Sequence, residues 1–228
     1  MSFYSMSLGA HVGAGAVALV TFWTAVLARK GSRPHVLAGR VYLLAMAVVI
    51  VSGGPLVAAL LERGQLVAGV FLGFLLLLVA NACWSAWRAI RDRRHPERYT
   101  GPIFRLLNAL VLLSGAGVVF LGVSRGAALL VVFGAVGVLA GGTGLRRARS
   151  GFSEPNWWVR EHYGAMLGNG VATHIAFLAV GLRSLAPGLD GAVLQYIAWF
   201  GPLSAAIAAG WWLDRRYGRR ATPASRRA

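Results

Sequence analysis

The sequence predicts an all-α fold: a polytopic membrane helix bundle of seven transmembrane helices, amino terminus outside and carboxyl terminus cytoplasmic. Three observations predict it. The 228 residues are 57% hydrophobic and only 13% charged, with a mean hydropathy of +0.63. A soluble domain carries about 25% charged residues, and so poor a supply of charge cannot coat a globule in water. Seven apolar stretches match the roughly 20 residues that cross a bilayer. The basic residues between those stretches alternate between dense and sparse.

The stretches run Leu8 to Ala28, Val36 to Leu61, Leu66 to Trp87, Ile103 to Val123, Ala127 to Leu145, Val159 to Leu182 and Ala192 to Leu213. All are uniformly apolar, whereas membrane β-barrel strands alternate. No basic residue precedes the first stretch, and Arg29 and Lys30 follow it. That is the reverse of a secretory signal peptide. The first connection holds Arg29, Lys30, Arg33 and Arg40, and the third holds Arg88, Arg91, Arg93, Arg94, Arg98 and Arg105. Arg146, Arg147, Arg149 and Arg160 surround the fifth, and Arg215, Arg216, Arg219, Arg220, Arg226 and Arg227 follow the last helix. Twenty basic residues thus fall on one side, against Arg63, Arg125 and Arg183 on the other. Positive charge is retained in the cytoplasm. The expected location is therefore a bacterial cytoplasmic (inner) membrane, with residues 1–214 as the transmembrane domain and 215–228 as a basic flexible cytoplasmic tail.

The expected partners are the lipid bilayer and anionic lipids at the basic cytoplasmic loops. The net charge of +16 does not read as nucleic-acid binding, because it lies in short clusters and not in one stripe. Which proteins it partners stays open. Trp87, Trp157, Trp158, Trp211 and Trp212 lie beside the basic clusters, where aromatic belts form.

Lipid offers helices no hydrophobic drive to associate, so small residues take over as close contacts. Gly9 with Gly13, the series Gly134, Gly137, Gly141 and Gly144, and the ridge Gly164, Gly168 and Ala172 are the candidates. Pro55 and Pro202 fall inside the second and seventh helices, where proline removes a backbone donor and kinks the helix.

Ionisable and polar groups inside spans are costly and mark candidate sites. His162, Asn169 and Thr173 share one face of the sixth helix, with Met166 nearby. His35, Gly39 and Tyr42 share one face at the start of the second helix, and Arg40 points about 140° from His35. Ser32 and Pro34 mark that helix start. The histidines sort into an inner pair, His35 and His162, and an outer pair, His11 and His174. His95 falls in a solvated loop. His35, Arg40, Tyr42, His162, Asn169, Thr173 and His11 are accordingly the candidates for lining a polar cavity that opens to the cytoplasm. Paired histidines on different helices could bind haem b. They could also begin a metal site, with Asp92, Glu97 or Glu161 as further ligands. There is no HExxH, no CxxC and no clustered carboxylates. The lone Cys83 reads as a buried small residue.

Three functional classes stay open. One is small-molecule or ion binding, with or without transport, at the inner histidines. Another is a redox protein holding haem b or another metal through His35 and His162. The third is a membrane scaffold or assembly factor. No Ser/His/Asp or Cys/His arrangement points to hydrolysis, and whether the chain is an enzyme stays open.

"KGSRPHVLAGRVY", "HYGAMLGNGVATHIAFL" and "WFGPLSAAIAAGWWLDRRY" resemble the motifs of a bacterial multi-pass (seven-helix) membrane family of unknown function. That resemblance carries over His11, His35, Gly39, Arg40, His162, Thr173, Trp199 and Pro202, and departs at His174. It implies a fold and a location, and no mechanism.

Overall fold

The computed structural model describes residues 3–181 and 191–217. Among them there is no strand. The helices are α1 (Phe3–Leu27), α2 (Arg33–Glu62), α3 (Leu66–Arg91), the single turn α4 (Pro96–Tyr99), α5 (Pro102–Ser124), α6 (Ala128–Ser150), α7 (Trp157–Ile175) and α8 (Ala192–Tyr217). The last turn of α7 loosens into a π-helical segment, Ala176–Gly181. Six helices are long and apolar enough to cross a membrane: α1, α2, α3, α5, α6 and α8. Leu113 and Leu139 are 69% and 70% exposed on their flanks, a surface suited to lipid and not to water. The chain is an integral membrane protein. The expected sixth span is represented by α7, which has 19 residues and carries Arg160, Glu161, His162, Asn169, Thr173 and His174.

Several expected ends move. Helix α6 runs on to Ser150, so Arg146, Arg147 and Arg149 are helical and not loop residues. Arg215 and Arg216 form the last turn of α8. The remainder of the expected tail, residues 218–228, lies outside the described residues, as does Arg183.

The turns with few basic residues are closed by glycine. Gly64 and Gly126 take φ of +73° and +63°, a region other residues rarely adopt. In each turn the next amide reaches back five residues: Gln65 N–H donates to Leu60 O at 3.0 Å, and Ala127 N–H to Gly122 O at 2.8 Å. This satisfies orphan helix carbonyls within the chain and keeps both turns short. The first connection also holds a left-handed glycine, Gly31 at φ +80°, and adds side-chain caps. Ser32 N-caps α2, and Pro34 sits in its first turn. Lys30 Nζ donates to Ala25 O and Val26 O at 3.0 and 2.6 Å, capping the carbonyl end of α1.

Helix α3 is central, packing against α2, α5 and α7, while α1–α2 and α5–α6 form close hairpins and α8 packs on α7. One core joins Phe71, Phe74, Val118, Phe133 and Val171, with Trp199 of α8 against Phe71 and Phe133 at 5.6 Å ring to ring. A second joins Ala18, Phe22, Tyr42, Met46 and Val79 of α1, α2 and α3. A third, near the basic loops, joins Ala89, Tyr99, Phe104 and Trp157.

The glycine series on α6 is a packing seam, as expected. A Cβ at Gly134 would stand 2.8 Å from Val119 N, and one at Gly141 would stand 2.7 Å from Leu112 N. The other two glycine patterns are not contacts. Gly9, Gly13, Gly164 and Gly168 have nothing within 4 Å of a built Cβ. On α7 the close approach is at Gly170, which receives the Phe22 ring at 2.5 Å from a built Cβ. Pro55 and Pro202 lie inside α2 and α8, which continue past them.

Candidate functional site

His35 lies in the first turn of α2 and His162 in the second turn of α7. The His35 ring Nδ1 is 2.9 Å from Ala25 O of α1, and the His162 Nδ1 is 3.0 Å from Ala86 O of α3. A carbonyl oxygen only accepts, so in each ring Nδ1 carries the proton and donates. A neutral imidazole held this way presents a bare lone pair at Nε2. The inner pair therefore consists of two oriented imidazoles on different helices, at the end of the bundle that carries the basic loops. His35 also has a structural job beside this one: it and Lys30 together occupy orphan carbonyls of α1.

The polar stripe on α7 faces inward, as its spacing predicts. The Tyr42 hydroxyl is 2.9 Å from Thr173 Oγ1, and Thr173 Oγ1 donates to Asn169 O at 3.0 Å. With its single proton committed there, Thr173 accepts from Tyr42. Asn169 Oδ1 accepts from the Cys83 thiol at 3.4 Å, and Asn169 Nδ2 is buried without a partner among the described residues. Tyr42 and Asn169 are both 0% exposed, so this stretch is tightly packed interior. Arg40 is exposed, away from that network. Tyr42→Phe is expected to destabilise the protein by about 1 kcal/mol, the usual cost of one buried neutral hydrogen bond. Thermal unfolding in detergent measures it, and an unchanged midpoint would mean that the bond contributes nothing.

The outer histidines do not meet. Trp23 Nε1–H donates to His174 Nε2 at 2.9 Å, and His174 Nδ1 donates to Gly170 O at 2.7 Å. Both ring nitrogens are therefore used, which leaves no lone pair for a ligand. His11 lies twelve residues before Trp23 on α1, about 18 Å along the axis. Its Nδ1 is 3.2 Å from Ser52 Oγ, which itself donates to Val48 O at 2.6 Å, so the ring ties α1 to α2.

The carboxylates considered as metal ligands are occupied. Asp92 pairs with Arg88, and Glu97 with His95 at 3.2 Å. Glu161 pairs with Arg147 and accepts from the Tyr99 hydroxyl at 2.9 Å. Burial, and then the Glu161 charge, hold the Tyr99 phenol well above its ordinary value, so it stays a donor. This Glu161–Arg147–Tyr99 cluster joins α7, α6 and α4, and spacing alone does not reveal it. Its one sequence signal is an acidic residue among many basic ones. Among the described residues no group of three or more His, Cys, Asp or Glu side chains could hold a metal ion. At the same end, Arg91 lies over Trp87 at 5.0 Å and Arg215 over Trp211 at 3.3 Å, which fixes the aromatic belt. Trp157 instead turns inward and stacks on Phe152 at 4.4 Å.

Compared with protein-family models, curated proteins and solved structures, the chain finds no match.

Proposed function

We propose that this chain is a seven-span bacterial inner-membrane protein that binds a small molecule or ion at His35 and His162. The amino terminus lies outside and the carboxyl terminus in the cytoplasm. The span added to the six is α7, sixth in chain order. Its 19 α-helical residues cover about 28 Å at 1.5 Å per residue, close to the roughly 30 Å of a bilayer core, and the π-helical turn extends it. The charge asymmetry between the two sides supports the orientation.

One observation carries the binding site: each imidazole has its Nδ1–H anchored on a neighbouring helix's carbonyl, which turns the ring's Nε2 away from that anchor. Outer-shell anchoring of this kind fixes tautomer and orientation at ligating histidines. A second reading, haem b, is favoured by the count of donors. A bare tetrahedral ion needs about four ligands, whereas haem iron asks the protein for two axial ones.

Asparagine gives a clean test. His35→Asn and His162→Asn keep an N–H near the Nδ1 position, and so keep the carbonyl anchor, but remove Nε2. Wild-type protein purified in detergent is expected to show bound metal by elemental analysis, or a haem absorption band. Both variants are expected to lose it at unchanged thermal stability. A colourless, metal-free wild type rejects the metal and haem readings. Ligand retained in both variants rejects the site.

A further inference from the structure

A groove of about 420 Å³ runs along the α5–α6 hairpin, lined by Leu112, Gly142, Leu145, Arg146, Arg149 and Ser150. Its two halves differ in chemistry. Leu112 and Leu145 form an apolar half, kept open by Gly142, which has nothing within 4 Å of a built Cβ. Arg146 and Arg149 form a cationic half in the last turns of α6, and both are exposed. Leu139 lies one turn before Gly142 on the same side of α6 and is 70% exposed, so the groove opens toward lipid.

The neighbouring cations are already committed. Arg147 pairs with Glu161, and Arg105 donates to Thr100 O and Ala148 O at 3.0 and 3.4 Å. Among the described residues the ion pairs engage Arg88, His95, Arg147 and Arg160. Arg146 and Arg149 meet no carboxylate there. Two unneutralised guanidiniums, three residues apart on one helix face, stand at the end of an oily slot. They match a phosphodiester joined to an acyl chain.

We propose that this groove binds one anionic phospholipid, with its phosphate on Arg146 and Arg149 and an acyl chain over Leu112 and Gly142. A zwitterionic headgroup would bring an ammonium toward two arginines and is disfavoured. Free phosphate would leave the apolar half unused. The site depends on the helices being embedded in lipid. It does not depend on the histidine pair or on the chain's orientation, so either can fail without the other.

The test is native mass spectrometry of the full chain in detergent, titrated with phosphatidylglycerol and with phosphatidylcholine. Wild-type protein is expected to prefer phosphatidylglycerol. The double variant Arg146→Gln/Arg149→Gln is expected to lose about 30-fold of that affinity, or about 2 kcal/mol at 1.4 kcal/mol per tenfold. Gly142→Leu fills the slot without changing charge and should lower phosphatidylglycerol binding by itself. Arg29→Gln/Arg33→Gln removes the same charge elsewhere at that end, from two exposed residues, and should leave binding nearly intact. Equal loss in both arginine pairs would show diffuse surface attraction and overturn the site. So would unchanged binding in Gly142→Leu, or competition by millimolar inorganic phosphate alone.

Discussion

Gly141→Ala is expected to destabilise the bundle by about 3 kcal/mol, although it adds a single methyl group. The reason is where that methyl would sit. A Cβ at Gly141 would lie 2.5 Å from Asn108 O, 2.7 Å from Leu112 N and 2.9 Å from Leu112 Cβ. Two of these are backbone atoms, so no rotamer change relieves the clash. The α5 and α6 axes would have to separate. In lipid that separation costs van der Waals packing all along the seam, because no hydrophobic gain elsewhere replaces it. At about 2–4 °C per kcal/mol for a chain of this size, the melting midpoint in detergent should fall by roughly 6–12 °C. Gly13→Ala and Gly164→Ala are the controls. Each sits in a helix with open space around it, and each should leave stability unchanged or slightly raised. A Gly141 variant as stable as those two would show that the seam does not hold the hairpin.

The contrast shows how far this fold can be read from sequence. The helical character and placement of the apolar runs were legible, since long apolar runs have only one way to satisfy their backbone in a bilayer, and six of the helices are long and apolar enough to cross one. The start of α2 was legible from Ser32 and Pro34, because caps and N-terminal prolines act locally. The glycines were not equally legible. Gly134, Gly137, Gly141 and Gly144 make a seam, whereas Gly9, Gly13, Gly164 and Gly168 face outward in the same spacing. Spacing specifies a helix face but not the partner of that face. The partner is decided by topology, and here it is α5 that meets α6.

The histidines divide along the same line. Depth and facing could be estimated by counting residues, and that grouped His35 with His162. What counting could not supply is the second atom of each hydrogen bond. The carbonyls of Ala25 and Ala86 leave no trace in the sequence, yet they determine which ring nitrogen is free. Likewise nothing near His174 in the sequence marks its ring as occupied, because the donor, Trp23, lies 151 residues away in the chain.

The buried ion pair on the loop side should show a strong asymmetry between its members. Glu161 is 8% exposed at its side chain, while Arg147 is 35% exposed. Arg147→Met strips the cation from a carboxylate that has little access to water and only the Tyr99 hydroxyl left as a donor. Leaving such a buried charge uncompensated typically costs about 3–5 kcal/mol, and about 3 kcal/mol is expected here because some solvent can reach the site from the Arg147 side. Glu161→Gln leaves the opposite charge behind, but on a long side chain that can turn toward water or lipid phosphate. Its carboxamide oxygen still accepts from Tyr99, so the expected cost is about 1 kcal/mol. Combining Arg147→Met with Glu161→Gln should recover most of the loss seen in Arg147→Met alone, since neither charge then remains. The exposed pair Arg160–Asp214, 48% and 43% exposed at the side chains, provides the comparison: Asp214→Asn should change stability by less than about 1 kcal/mol. A double-mutant cycle on thermal unfolding in detergent measures all of these. The account fails if Glu161→Gln proves as damaging as Arg147→Met, or if the double variant is less stable than Arg147→Met, because then the cost would come from lost packing at the α4–α6–α7 junction and not from a stranded carboxylate.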